Sequence, residues 1–272
     1  MLDLFSAYSP LIWLALLATG SLIGLLAGLL GVGGGVVAVP VLIEIFEAME
    51  VDRPTALILA VGTAQANIVV ASISAATAHW RAGTIDAALV RTWLPALLAG
   101  TVAGLWLGSH ASAAVLTGTF AAVALALAVQ LGASDRLVLG PTPPRGPLGQ
   151  VPPTIVGVLA SAVGVGGGTL STPVLTLFSF PLKRAIGAGA LFNLVIAVPA
   201  TVFFLIHDIG RPGRTSDAIG DVALICVAAL SLPALFVAPI AVRWAMRAPV
   251  LMLRRLFAFC LVVVAVRLLL RA

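Results

Sequence analysis

The feature that most constrains this chain is a gap-free internal repeat around two identical glycine-rich runs. Residues 24–42 (GLLAGLLGVGGGVVAVPVL) and residues 157–175 (GVLASAVGVGGGTLSTPVL) share the run Gly-Val-Gly-Gly-Gly and a later proline, at a constant offset of 133 residues (157 minus 24). A repeat of this kind indicates a molecule built from two similar halves. We divide the chain into a first half, residues 1–132, a Pro- and Gly-rich linker, residues 133–152, and a second half, residues 153–272.

Both halves are predicted to be embedded in a lipid membrane. Hydrophobic residues make up 61% of the chain and charged residues 9%, whereas a soluble domain has about 25% charged residues. The net charge of +5 comes from basic residues in loops between apolar runs, so nucleic acid is not expected as a partner. Each half is predicted to contain five apolar helical segments: 11–30, 36–48, 56–78, 87–108 and 111–132, then 153–163, 169–180, 185–206, 220–242 and 250–270.

The glycine runs are predicted to break helices inside the membrane. Each Gly costs about 1 kcal/mol relative to Ala in a helix interior, and irregular backbone at membrane depth occurs only where protein or a watery cavity surrounds it. Segments 153–163 and 169–180 are too short to cross alone. We therefore predict an all-α integral membrane protein in which each half has a glycine-rich broken or re-entrant helix hairpin and three spanning helices. Segment 11–30 is long enough to cross outright.

The distribution of basic residues favours inverted halves. If each half crosses the membrane an odd number of times, one side receives ten Lys and Arg and the other five; if each crosses four times, the split is seven to eight. Membrane proteins concentrate Lys and Arg in cytoplasmic loops, so the ten-to-five split is preferred. Both termini are then expected outside the cytoplasm. The ten are Arg81, Arg91, Arg136, Arg145, Lys183, Arg184, Arg243, Arg247, Arg254 and Arg255.

The two breaks also suggest where a small anion could bind. A helix that starts after a glycine bend presents unpaired N–H groups and the positive end of its dipole, which together attract anions. Polar side chains near the breaks could add contacts, although helix-to-helix hydrogen bonding and capping are alternative roles for them. The candidate binding residues are Gly33, Gly34, Gly35, Thr63, Gln65, Asn67, Gly166, Gly167, Gly168, Thr169, Ser171 and Asn193.

Other groups receive structural interpretations. His79 and His207 lie at helix–loop boundaries and are interpreted as interfacial, and the acidic patch 44–52 as a solvated face. Cys226 and Cys260 are interpreted as packing residues. Glycines spaced by four are typical of close helix contacts; they are Gly20, Gly24 and Gly28, and Gly100, Gly104 and Gly108. No catalytic triad, HExxH or CxxC pattern and no nucleotide-binding motif occurs, so we expect neither an enzyme nor a cofactor.

Three features together resemble the sulfite exporter TauE/SafE family of permeases: the first glycine block, its second copy, and His79-x-x-x-Gly83 followed by a Trp-, Pro- and Gly-containing segment. The resemblance covers nearly the whole chain. It implies a secondary permease of the bacterial inner membrane that moves a small anion, sulfite or an organosulfonate, by alternating access. An anion-selective channel is the alternative. The lipid bilayer is an expected partner, and a coupled proton or cation and a homo-oligomer are left open.

Overall fold

The computed structural model describes residues 8–110, 113–132, 139–140, 142, 146–206 and 213–271. Within these residues all ten predicted segments are confirmed as helices, with ends that differ from the prediction by at most five residues. A 3₁₀-helix, Pro147–Gln150, precedes α6, and a β-hairpin that was not predicted separates α8 from α9. The helices are α1 Pro10–Leu30, α2 Gly35–Ala48, α3 Arg53–Arg81, α4 Ala87–His110, α5 Ala113–Gly132, α6 Val151–Val163, α7 Gly168–Thr176, α8 Leu182–Ile206, α9 Leu224–Arg247 and α10 Val250–Arg271.

Five of these helices are long and apolar enough to cross a membrane, as judged on the described residues: α1, α3, α4, α8 and α9. In contrast, α2 has 14 residues and α7 has 9. At 1.5 Å per residue these are about 21 Å and 14 Å long, less than the roughly 30 Å of a hydrocarbon core. The prediction of an all-α membrane protein is confirmed. One helix of the first half, α2, is too short to span alone, and so are two of the second half, α6 with 13 residues and α7.

Local sequence signals set the helix ends around the breaks. Ser9 caps α1 by accepting a hydrogen bond from the Ile12 N–H at 3.4 Å, and Asp52 caps α3 through the Thr55 N–H at 3.2 Å. These Thr55 bonds hold the pKa of the Asp52 carboxyl below its usual range. The first helix of each half ends at a left-handed glycine, Gly31 with φ 66° and Gly164 with φ 78°, a conformation that glycine adopts without steric strain.

The most extensive helix contacts run between the halves rather than within them. Helix α1 packs along α9, and its repeat counterpart α6 packs along α4. Helix α3 packs on its counterpart α8, and α5 on its counterpart α10. Exchanging the two halves therefore maps this set of contacts onto itself.

The predicted glycine faces are confirmed as the contact surfaces of these pairs. Cβ atoms built on Gly20, Gly24 and Gly28 would overlap or press against residues 230–242 of α9, and those on Gly100 and Gly104 would overlap the α6 backbone. Because there is no room for a methyl group, glycine allows these helix backbones to approach closely.

Helices α3 and α8 run antiparallel. Gly62, in the first half of α3, lies against Phe204, near the end of α8, whereas Thr84, just beyond α3, lies against Gly187, near the start of α8. The hairpin, with strands Ala218–Ile219 and Val222–Ala223, inserts at the Gly62–Phe204 end. Its tip is fixed there by the Asp221 N–H, which donates to the Phe204 carbonyl at 2.8 Å.

Candidate functional site

The two glycine bends touch each other at the centre of the molecule. A Cβ atom built on Gly33 would lie 2.9 Å from the Gly166 Cα, and one built on Gly166 would lie 2.7 Å from the Gly33 Cα. Both positions are buried. The bends therefore meet backbone to backbone, which only residues without a side chain permit.

Asn193 links the two bends through its side-chain amide. Its Nδ2 donates to the Gly31 carbonyl at 2.8 Å, and its Oδ1 accepts from the Gly168 N–H at 2.6 Å. One side chain thus satisfies the carbonyl of Gly31, which caps the C-terminal end of α1, and the first N–H of α7. Asn193 is the twelfth of 25 residues in α8, so the bends meet near the middle of that helix.

One face of α3 lies opposite α8 across the bends. Val61 contacts Gly164, and Ile68 contacts Gly35. Gln65 is four residues after Val61 and three before Ile68, so it projects from the same face. Ser72 follows Gln65 by seven residues, two helical turns, and lies on this face as well. The bends are therefore enclosed between a face of α3 that carries Gln65 and a face of α8 that carries Asn193.

Several polar atoms around the bends are buried without a hydrogen-bond partner. The Gln65 side chain is 0% exposed, and neither its Nε2 nor its Oε1 has a partner. Thr169 and Ser171, in the first turn of α7, have buried, unpartnered hydroxyls. The Asn67 Oδ1 and the Ser72 Oγ are in the same condition. Each unsatisfied buried group costs about 1–3 kcal/mol, so such a concentration calls for an explanation beyond packing.

Thr63 and Asn67 are held by other parts of the structure. The Thr63 Oγ1 accepts from the Ala223 N–H of the hairpin at 2.9 Å, and the Asn67 Nδ2 donates to Ser231 Oγ on α9 at 2.9 Å. The structure thus places Gln65 and Asn193 against the bends, directs the Asn67 amide nitrogen toward α9, and joins Thr63 to the hairpin.

The two bends differ in conformation despite their identical sequence. Gly34 caps α2 with φ 74°, in the left-handed region, whereas Gly167 has φ −59° and lies in the helical region. Gly35 faces the apolar Ile68, while its repeat counterpart Gly168 faces Asn193. The site is therefore asymmetric: the first residue of α7 is hydrogen-bonded to an amide side chain, whereas the first residue of α2 faces an apolar one.

The surroundings of the bends are polar but uncharged. Helix α3 has no ionisable residue between Arg53 and His79, and α8 has none after Arg184. An anion held here would be bound by N–H and O–H donors and by the starts of α2 and α7, each equivalent to roughly half an elementary charge.

The interpretation of His79 as an interfacial residue is wrong, because its side chain is buried. It is 1% exposed, with Nδ1 3.0 Å from the Thr84 Oγ1 and Nε2 3.2 Å from the Gly28 carbonyl. It therefore ties the end of α3 to α1, just before the first bend. His207 lies outside the described residues. The acidic patch is exposed as predicted, and both cysteines are free and pack among apolar residues.

A second polar cluster fixes the hairpin and the start of the described chain. The Tyr8 hydroxyl donates to Asp217 Oδ1 at 3.0 Å, and the Asp217 Oδ2 accepts from the Ile225 N–H at 2.8 Å. Burial, together with Cys226 and Asp217 beside the hydroxyl, raises the pKa of Tyr8 far above its usual range. Beyond it, Arg214 pairs with Asp221, whose side chain is 1% exposed.

Comparison with known proteins decides the family. The family described as Sulfite exporter TauE/SafE matches residues 16–268, nearly the whole chain. The chain belongs to the sulfite exporter TauE/SafE family. It is thus a multi-pass membrane transporter, and the resemblance carried by the glycine blocks is confirmed.

Two curated relatives are similar over much of their length. A probable membrane transporter protein of Haemophilus influenzae is 30% identical over 257 residues, 94% of this chain and 97% of the relative. A probable membrane transporter protein of Methanocaldococcus jannaschii is 26% identical over 180 residues, 63% of this chain and 64% of the relative. No solved structure matches the chain significantly.

Sequence reasoning missed three residues near the site: Ile68, Ser72 and Ser231. Helical spacing from Gln65 would have found Ile68 and Ser72, because both follow it on one face of α3. Ser231 pairs with Asn67 across 164 residues of chain, and no local pattern indicates that contact.

Proposed function

We propose that this transporter is a secondary permease that moves a small anion, sulfite or an organosulfonate, across the bacterial inner membrane by alternating access. The observation that supports this most strongly is the group of buried, unpartnered donors on Gln65, Thr169 and Ser171 around the touching bends. A bound oxyanion would accept hydrogen bonds from these groups and offset their desolvation.

The candidate residues then have distinct roles. Gly33 and Gly166 allow the bends to meet, while Gly34, Gly35, Gly167 and Gly168 start α2 and α7. Gln65, Thr169 and Ser171 donate to the anion, Asn193 holds the bends together, and Thr63 and Asn67 position α3 against the hairpin and α9. Because α3 carries no ionisable residue between Arg53 and His79 and α8 carries none after Arg184, the site suits a monoanion, or a dianion that arrives with a proton or cation.

We also propose that the halves are inverted repeats with both termini outside. The antiparallel pairing of α3 with α8 supports this, since two repeat-related helices that run in opposite directions require a symmetry axis perpendicular to them. Broken helices at the interface of inverted repeats are a frequent site architecture in secondary transporters. The ten-to-five division of basic residues gives independent support.

The test is flux in liposomes that contain the purified protein. We expect saturable uptake of sulfite or sulfoacetate, acceleration by unlabelled substrate on the opposite side, and loss of uptake in Gln65→Leu. Thr77→Val is the matched control, because this hydroxyl lies on an exposed face of the same helix. Uptake without counterflow acceleration, at rates far above those of carriers, would instead identify the anion-selective channel.

A further inference from the structure

Each end of the antiparallel α3–α8 pair is covered by a loop or hairpin. At one end the α3–α4 loop, residues 82–86, lies on α8, where a Cβ atom built on Gly187 would be 2.6 Å from the Thr84 Oγ1. At the other end the hairpin that precedes α9 lies on α3, where a Cβ atom built on Gly62 would overlap the Asp221 carbonyl. Both glycines end similar runs, Ala-Val-Gly and Ala-Ile-Gly, so the two contacts are related as the two halves are.

The hairpin is held firmly between the two helices. Residues 220–223 are buried without interruption. The Asp221 N–H donates to the Phe204 carbonyl of α8 at 2.8 Å, and the Ala223 N–H donates to the Thr63 hydroxyl of α3 at 2.9 Å. The ion pair between Arg214 and Asp221 is also buried, with side chains 9% and 1% exposed. Withdrawal of the hairpin would separate all of these contacts at once.

The α3–α4 loop is held by fewer contacts. Of residues 82–86 only Thr84 is buried, and its hydroxyl lies 3.0 Å from the His79 Nδ1 at the end of α3. The link from the loop to α8 is the ion pair of Asp86 with Arg184 at 2.7 Å, whose side chains are 20% and 50% exposed. An ion pair this exposed contributes little, because water screens it. Separating the loop from α8 therefore costs less than withdrawing the hairpin.

A buried polar position lies between the bends and the α3–α4 loop. Ser72 is seven residues after Gln65 on the same face of α3; it is 0% exposed, and its hydroxyl has no partner. The side chains that follow it toward the loop are small, so they would obstruct little when α3 and α8 separate. They belong to a cluster made only of alanines, namely Ala27, Ala75, Ala76, Ala190 and Ala238.

We propose that the α3–α4 loop and the hairpin are the two gates of the transport path, and that the loop is the gate that opens in the substrate-free protein. This inference rests on the proposed function, in which the bends bind the anion. Opening the loop parts Asp86 from Arg184 and admits water along Ser72 to the bends, while the hairpin stays closed over Thr63. In the proposed orientation the loop is cytoplasmic, so the empty site faces the cytoplasm.

The experiment measures access to two single cysteines, Ser72→Cys and Thr63→Cys, in the full-length chain with Cys226→Ala and Cys260→Ala. A membrane-impermeant maleimide is added, without substrate, to membrane vesicles of either orientation, and each rate is divided by that of the denatured protein. We expect Ser72→Cys to react only from the side of the α3–α4 loop, and faster than Thr63→Cys reacts from the hairpin side. Ala75→Cys, about one turn further along α3 and equally buried, replaces Ser72→Cys if that variant fails to fold.

A charge variant tests whether the exposed ion pair holds the loop closed. Arg184→Gln should speed the labelling of Ser72→Cys about threefold, within the range expected for loss of an exposed ion pair. Arg255→Gln is the control, because it removes the same charge from an exposed position of α10 that is predicted to lie on the same side of the membrane. It should leave the rate unchanged.

Four results would overturn the proposal. Labelling of Ser72→Cys equally from both sides, or of neither cysteine, would show that the α3–α4 loop is not a gate. Faster labelling of Thr63→Cys would mean that the hairpin opens first, and an equal effect of Arg255→Gln would remove the role of the Asp86–Arg184 pair. Because the labelling needs no substrate, the expected labelling without any sulfite or sulfoacetate uptake would contradict the proposed function and leave the gates in place.

Discussion

Asn193 and Gln65 lie on the faces of α8 and α3 that contact the bends, yet their hydrogen bonding differs. Asn193 is satisfied at both ends of its amide by the two bends, whereas the Gln65 amide is buried with no partner. A satisfied polar bridge stabilises the protein and an unsatisfied one destabilises it. We therefore assign Asn193 mainly to the stability of the fold and Gln65 mainly to transport.

Replacement by leucine should affect the two positions in opposite ways. Asn193→Leu leaves the Gly31 carbonyl and the Gly168 N–H buried without partners, so we expect a loss of about 3 kcal/mol in unfolding free energy. Gln65→Leu removes an unsatisfied amide and should leave stability equal or higher while it abolishes transport. Thermal denaturation and liposome flux of both variants measure this. Normal transport with reduced stability in Gln65→Leu would mean that this side chain serves helix packing.

Which residues face the bends could be predicted only in part. The glycine runs indicate breaks because composition alone opposes a helix there, and helical spacing places Gln65 on a face with Ile68. The hydrogen bond from Asn193 to Gly31 joins residues 162 positions apart in the chain. The Thr63 hydroxyl accepts from Ala223 of the hairpin, a segment whose sequence shows no hydrophobic pattern that would predict it. Such partners are fixed by tertiary packing, which local sequence does not encode.

At the scale of elements, the two bends carry the same sequence but respond differently to an added side chain. A Cβ on Gly34 would overlap Ile23, and its φ of 74° disfavours any L-residue by roughly 1–2 kcal/mol. A Cβ on Gly167, with a helical φ, would lie 2.5 Å from Ile196 Cδ1, the movable end of a side chain. Gly34 is thus constrained by its backbone conformation as well as by Ile23, whereas Gly167 is constrained mainly by one neighbouring side chain.

We therefore expect Gly34→Ala to be the more destabilising substitution, and Gly167→Ala to be rescued by Ile196→Val. Gly118→Ala is the control, because nothing lies within 4 Å of a Cβ there. Gly104→Ala would not serve as a control, since its methyl group would overlap Ser161 and Val158. Melting temperatures of the purified variants test the order, and a failure of Ile196→Val to rescue Gly167→Ala would show that position 167 is limited by backbone contacts such as the Phe192 carbonyl as well.

The hairpin provides a second prediction at this scale. Arg214→Met leaves Asp221 buried without its cation and should cost about 3–5 kcal/mol, whereas Arg214→Met combined with Asp221→Leu should recover most of that loss. The control is Arg53→Met, since the Arg53–Glu47 pair is exposed at 66% and 38% with a separation of 3.8 Å and should contribute less than about 1 kcal/mol. Similar losses in both single variants would show that the hairpin pair is effectively hydrated.

At the scale of the whole molecule, the halves are similar in sequence but interlocked in space. Helix α1 packs on α9 and α6 on α4, so the first helix of each half is held mainly by the other half. The repeat and the apolar pattern were sufficient to predict ten helices and two breaks. The exchange of partners between halves was not predictable, because small glycine faces such as Gly20–Gly28 fit any helix that can approach closely.

The final prediction concerns how these halves are oriented in the membrane. Because α3 and α8 occupy the same place in each half and run antiparallel, the loop after α3 and the loop after α8 should lie on opposite sides. The first follows Arg81, the last residue of α3, and is expected inside; the second carries Arg211 and Arg214 and is expected outside. Reporter fusions within residues 82–86 and 213–216 test this pair, and fusions within residues 142–150 and at Ala272 test the linker inside and the C-terminus outside. Loops on the same side, or a cytoplasmic C-terminus, would contradict the inverted arrangement and require another explanation for the ten-to-five division of charge.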